Sequence, residues 1–181
     1  IYNIAAPFKI DLVAYPQVIF PPNSDFIGEY TKISEITEIF EQWIKRECPT
    51  LNRIGYGVIL NQETSNRKSS YETLAHYLPC IEFNVDNWSD FLFQVNNMSA
   101  SMQKEGLKIN QVSKWNAIRK NTALLELSGA NIIQERYFCR LELDINTSHE
   151  HQEVFTTREI LDVFNELKTI AHRYTQDGVT Q

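Results

Sequence analysis

Cysteine is scarce in this chain: Cys48, Cys80 and Cys139 stand far apart among 181 residues. An odd number with no CxxC spacing excludes a disulfide framework and a zinc knuckle, so all three read as buried, reduced thiols, and their reduced state points to the cytoplasm. Long apolar runs are missing as well. Nothing approaches the roughly 18 consecutive apolar residues that a membrane helix requires, which excludes a helical span. The chain has no GxGxxG, GxxxxGK(S/T), GxSxG, HExxH or EF-hand signature, which counts against nucleotide-dependent, α/β-hydrolase and zincin chemistry. No cofactor is expected. Basic residues are outnumbered, with 17 Lys and Arg against 23 Asp and Glu for a net charge of −6. That balance disfavours general affinity for nucleic acid or anionic membranes. Internal repeats and low-complexity linkers are absent too.

What remains is the composition of a folded domain: 43% hydrophobic, 12% aromatic and 22% charged residues. By area scaling, a chain of this size buries about 70% of its unfolded surface, so it needs no covalent staple. A single α+β domain over residues 1–181 is the expectation. The first residue is Ile1 rather than Met, which leaves room for a further N-terminal segment carrying a signal or another domain.

Alternation predicts an opening strand through Phe8, Ile10, Leu12 and Ala14 that continues to Phe20, with a bulge or edge position at Pro16. The spacing of Ile33, Ile36, Phe40, Trp43 and Ile44 predicts an amphipathic helix over 32–47, capped by Thr31 or Ser34. Residues 53–61 alternate again and place Gly55 and Gly57 on one face as a smooth trench. A crossing helix is the commonest occupant of such a trench; an aromatic ring or a ligand is the alternative. Ser69 and Glu72 form a capping-box pattern for a helix over 70–78. Strands are predicted at 80–85, 90–96, 107–116, 122–127 and 137–145. In the last of these Tyr137, Cys139, Leu141, Leu143 and Ile145 point inward and Phe138, Arg140, Glu142, Asp144 and Asn146 outward. A closing helix over 157–175, capped by Thr156 or Thr157, carries one apolar stripe. Short connections between the middle strands imply an antiparallel meander. The expected fold is α+β, an antiparallel sheet of five to seven strands with the helices packed on one face.

Three groups of residues are candidates for chemistry. Asp144, His149 and His151 combine a carboxylate and two imidazoles within eight residues, which could supply a divalent-metal site, or else form the wet end of a strand and a solvated loop. Gln94 and Asn96 share one side of their strand, and Asn110 and Lys114 share one side of the next. If the two pair as a hairpin, those sides merge into a face of amides and ammonium groups able to orient a polar or anionic ligand. A solvated sheet face has the same pattern. Between Lys104 and Lys120 five basic residues face one acid, Glu105, and Trp115 lies among them. This basic stretch would extend the hairpin surface through Arg119 and Lys120 and attract an anionic partner.

The segments Arg53–Gly57, Asp90–Asn96, Ile109–Trp115 and Leu141–Thr147 resemble motifs of uncharacterised bacterial proteins. The resemblance covers about residues 50–147. It implies a bacterial origin and an α+β fold, and it brings no activity, cofactor or catalytic residue with it.

Together these features favour a non-catalytic binding or interaction domain. The expected site is Gln94, Asn96, Asn110, Lys114, Arg119 and Lys120. A protein partner or a small polar or anionic ligand is its expected occupant, nucleic acid and membrane are disfavoured, and a homodimer is compatible. The alternative is a metal-assisted hydrolase using Asp144, His149 and His151.

Overall fold

A computed structural model describes residues 2–6, 9–14, 27, 33–47, 49–125 and 131–179. The element order is β1 (Tyr2–Ala6), β2 (Lys9–Val13), α1 (Ile33–Glu47), β3 (Gly55–Thr64), α2 (Arg67–Tyr77), β4 (Leu92–Ala100), β5 (Lys108–Leu125), β6 (Asn131–Thr147) and α3 (Thr157–Asp177). The fold is α+β. Among the described residues one antiparallel sheet has four strands in the order β3-β6-β5-β4, and β1 and β2 pair only with each other.

The sheet is thus narrower than the five to seven strands expected, for two physical reasons. Residues 80–85 alternate but form no strand: they run between two turns, with the Ile81 N–H donating to Leu78 at 3.0 Å and that of Trp88 to Asn84 at 3.1 Å. Their one aromatic ring, that of Phe83, gathers instead with Tyr71 of α2 and with Phe91, lying 4.8 Å from Phe91 and 6.0 Å from Tyr71. In addition, the segments 107–116 and 122–127 belong largely to one strand, since β5 runs unbroken past Asn116 to Leu125. The expected continuation of the opening strand through Pro16 to Phe20, and the expected helix caps Thr31 and Ser34, lie outside the described residues or side chains.

β6 is the spine of the sheet. Its inward side chains Cys139, Leu141, Leu143 and Ile145 are buried, and they meet Leu60 of β3 and Ile109 and Trp115 of β5. Each such side chain taken from water contributes about 1.5–3 kcal/mol. α2 packs across β5, β6 and β3, α3 across β3 and β6, and α1 against α3. Trp115 is fully buried there and stacks on Tyr77 at 5.1 Å. It is a core residue rather than a stacking platform for a ligand.

Helix ends follow local chemistry. In α3 the Thr156 hydroxyl accepts from the Glu159 N–H at 3.3 Å while Glu159 accepts from the Thr156 N–H at 2.7 Å, a complete capping box. α2 begins earlier than expected because Asn66, not Ser69, caps it, its side chain accepting from the Ser69 N–H at 3.0 Å. One buried acid, Glu166, has a structural task. It accepts from the Ser101 hydroxyl at 2.5 Å and from the Met102 N–H at 2.7 Å, which fastens the β4–β5 turn to α3.

Candidate functional site

Helices cover one face of the sheet; strand parity decides what lies on the other. The register sets Gln94 beside Lys114 and Glu142, Asn96 beside Val112 and Asp144, and Met98 beside Asn110 and Asn146. On the far side of β6, Gly55 stands opposite Asn146, Gly57 opposite Asp144 and Ile59 opposite Glu142.

Both glycines are exposed, and among the described residues no helix crosses them. The trench is open, contrary to the expected crossing helix. It leaves Asp144 and Asn146 uncovered on their β3 side. From β5 the Asn110 amide donates to Asn146 at 3.3 Å, and the Asn146 amide donates onward to Asp144 at 2.9 Å. This relay orients three polar side chains across the seam and ends on an exposed carboxylate. Three of the most exposed large apolar side chains flank it, Ile59 at 58%, Leu92 at 61% and Met98 at 60%, so the face has a polar middle and apolar margins.

Of the expected site residues, Gln94, Asn96, Asn110 and Lys114 come together on this face. Lys120 shares the face but lies further along β5, its ammonium 5.3 Å from the Phe138 ring. Burial, then the neighbouring Arg140 and Arg136, hold its pKa below the usual lysine range. Phe138 itself is buried, with Arg136 also over its ring and in a bidentate ion pair with Glu63. Arg119 falls on the opposite side of β5 and pairs with Glu135 at 3.2 Å.

The basic stretch is not an open positive surface. Lys104 meets Glu159 at 2.6 Å, Lys108 meets Glu150 at 3.0 Å and Lys114 meets Glu142 at 3.5 Å. Acids from β6, from the turn after it and from α3 pair with lysines that are neighbours only in sequence. What the face offers is hydrogen bonding.

The residues of the alternative site are spread apart: Asp144 lies on the open face, His149 and His151 in the turn after β6. Among the described residues no three His, Cys, Asp or Glu side chains converge as metal ligands. His151 packs its ring on Phe155 at 4.6 Å. A depression of about 350 Å³ does lie at this end of the sheet, lined by Glu105, Lys108, Ser148, Glu150, His151 and Glu153 among others. Two of its acids already meet lysines, Glu150 pairing with Lys108 at 3.0 Å and Glu153 with Lys104 at 3.6 Å.

Sequence reasoning missed the β3 and β6 contributions to the face. The signal for β6 was present, because Glu142, Asp144 and Asn146 share the outward parity; what it lacked was the information that β6 lies beside β5. The glycine pair was likewise visible but could not be placed over Asp144 and Asn146. No family model, curated protein or solved structure matches the chain.

Proposed function

We propose that the protein is a non-catalytic interaction domain that engages a protein partner or a small polar ligand through the open face of its sheet. The observation that carries this reading is the Asn110–Asn146–Asp144 relay beside the uncovered Gly55 and Gly57. The relay fixes the amides in one orientation before a ligand arrives, which lowers the ordering cost of binding. The glycines allow a ligand to approach the backbone of β3 closely. Gln94 and Asn96 add paired donors and acceptors, and Ile59, Leu92 and Met98 supply apolar area around them. Because Lys114 is matched by Glu142, the favoured ligand presents hydrogen-bonding groups rather than a strong net charge.

Retention from cell extract on the immobilised chain, compared with an Asn110→Ala and Lys114→Ala double variant, tests the proposal. Both side chains are at least partly solvent-exposed, so the variant should stay within about 1 kcal/mol of the wild-type stability. Species held by the wild type should be lost from the variant. Equal retention by both proteins would place binding elsewhere and end this reading.

A further inference from the structure

We propose that the chain forms a two-fold homodimer by antiparallel pairing of the outer edge of β4 with the same edge of a second copy. β4 is an edge strand: among the described residues it pairs with β5 and with nothing on its other side. Its nine residues, Leu92–Ala100, include no charge, no proline and no glycine. Native edges are ordinarily protected by such residues or by bulges, because unpaired N–H and C=O groups recruit other chains. The opposite edge, β3, carries Gly55, Gly57 and Glu63.

Charge is what selects a second copy as the occupant. Near a two-fold axis each side chain meets its own symmetry mate or a close neighbour of it, so any charge there faces a like charge. On a chain with net charge −6, most surfaces are unsuited to that meeting. β4 is suited to it throughout its length. The register of greatest overlap puts Asn96 on the axis, and an amide can both donate to and accept from its own copy. The same register sets Gln94 against Met98 and Leu92 against Ala100, covering the exposed apolar side chains Leu92 and Met98. Two four-stranded sheets then join as eight strands. This inference concerns the strand edge and does not rest on ligand binding by the face.

Sedimentation equilibrium of the 181-residue chain from micromolar to millimolar concentration tests it. The mean mass should rise from one chain to two. Asn96→Lys places like charges on the axis and should move that rise upward by about tenfold or more in concentration. Asn61→Lys, on the opposite edge strand, should leave it in place, as should the Asn110→Ala and Lys114→Ala double variant. A wild-type mass that stays at one chain overturns the proposal, as does an equal response to Asn96→Lys and Asn61→Lys. Amide exchange of the wild type decides the matter even if Asn96→Lys fails to fold. Dilution should speed exchange at β4 and not at the centre of β5, whereas β4 exchange independent of concentration overturns the dimer.

Discussion

The backbone of Gly178 lies so close to the carbonyl of Tyr77 that a Cβ on the glycine would overlap the carbonyl oxygen. Gly178 has φ +66°, and the next residue, Val179, donates its N–H to the same carbonyl at 3.0 Å. The end of α3 is thereby tied to the end of α2. Gly178→Ala adds a disfavoured left-handed conformation to a steric overlap, and the expected loss is about 2–4 kcal/mol. Urea unfolding measures it; a midpoint equal to that of the wild type would mean that the two ends are not docked.

The capping box makes stability depend on pH. The Lys104 ammonium, then the backbone and hydroxyl of Thr156, hold the Glu159 carboxyl at about 2, against an ordinary 4.5. A carboxylate whose pKa is depressed by folding contributes stability that is complete above its unfolded value and disappears as pH falls through the folded one. The melting-temperature gap between wild type and Glu159→Gln should therefore be steady above about pH 4.5 and close as the pH falls towards about 2. A gap that ignores pH across this window would refute the assignment.

Cys48 lies outside the described residues, and the two described thiols differ in kind. Cys139 is fully buried in β6, where burial pushes its pKa well above the thiol range, while Cys80 is exposed. The sequence expectation of buried thiols thus fails at Cys80. Alkylation of the native protein, read by peptide mass spectrometry, should modify Cys80 and spare Cys139 until denaturant is added. Equal rates at the two sites would contradict the burial of β6.

Helices and strands with one apolar face were legible in the sequence because local periodicity reports burial. The helices at α1 and α3, the β4–β5 hairpin and the inward set Cys139, Leu141, Leu143 and Ile145 follow from spacing alone. Residues 80–85 misled, since alternation cannot distinguish a strand from an irregular segment whose Phe83 ring packs edge-on against Tyr71 of a neighbouring helix. The basic stretch misled for a different reason. Net charge along a segment ignores Glu142 and Glu150, which strand pairing brings to Lys114 and Lys108 from more than twenty residues away. The open face was legible in its β4 and β5 halves only, because the order of strands depends on contacts that no local pattern encodes.

The position of β6 between β3 and β5 also sets an order in time. β4, β5 and β6 follow one another, with pairing that reaches Ala100↔Lys108 in one hairpin and Leu125↔Asn131 in the other. β3 joins β6 through Gly55↔Asn146 and Thr64↔Tyr137, contacts that close far longer loops at greater entropic cost. The three-stranded meander is therefore expected to form before β3 joins, which would leave β6 for that interval as an unprotected edge lined with Leu141, Leu143 and Ile145. Aggregation is expected to be most favoured in that interval. Pulsed hydrogen exchange during refolding should find the amides of β5 protected before those of β3; simultaneous protection would count against the sequence of events.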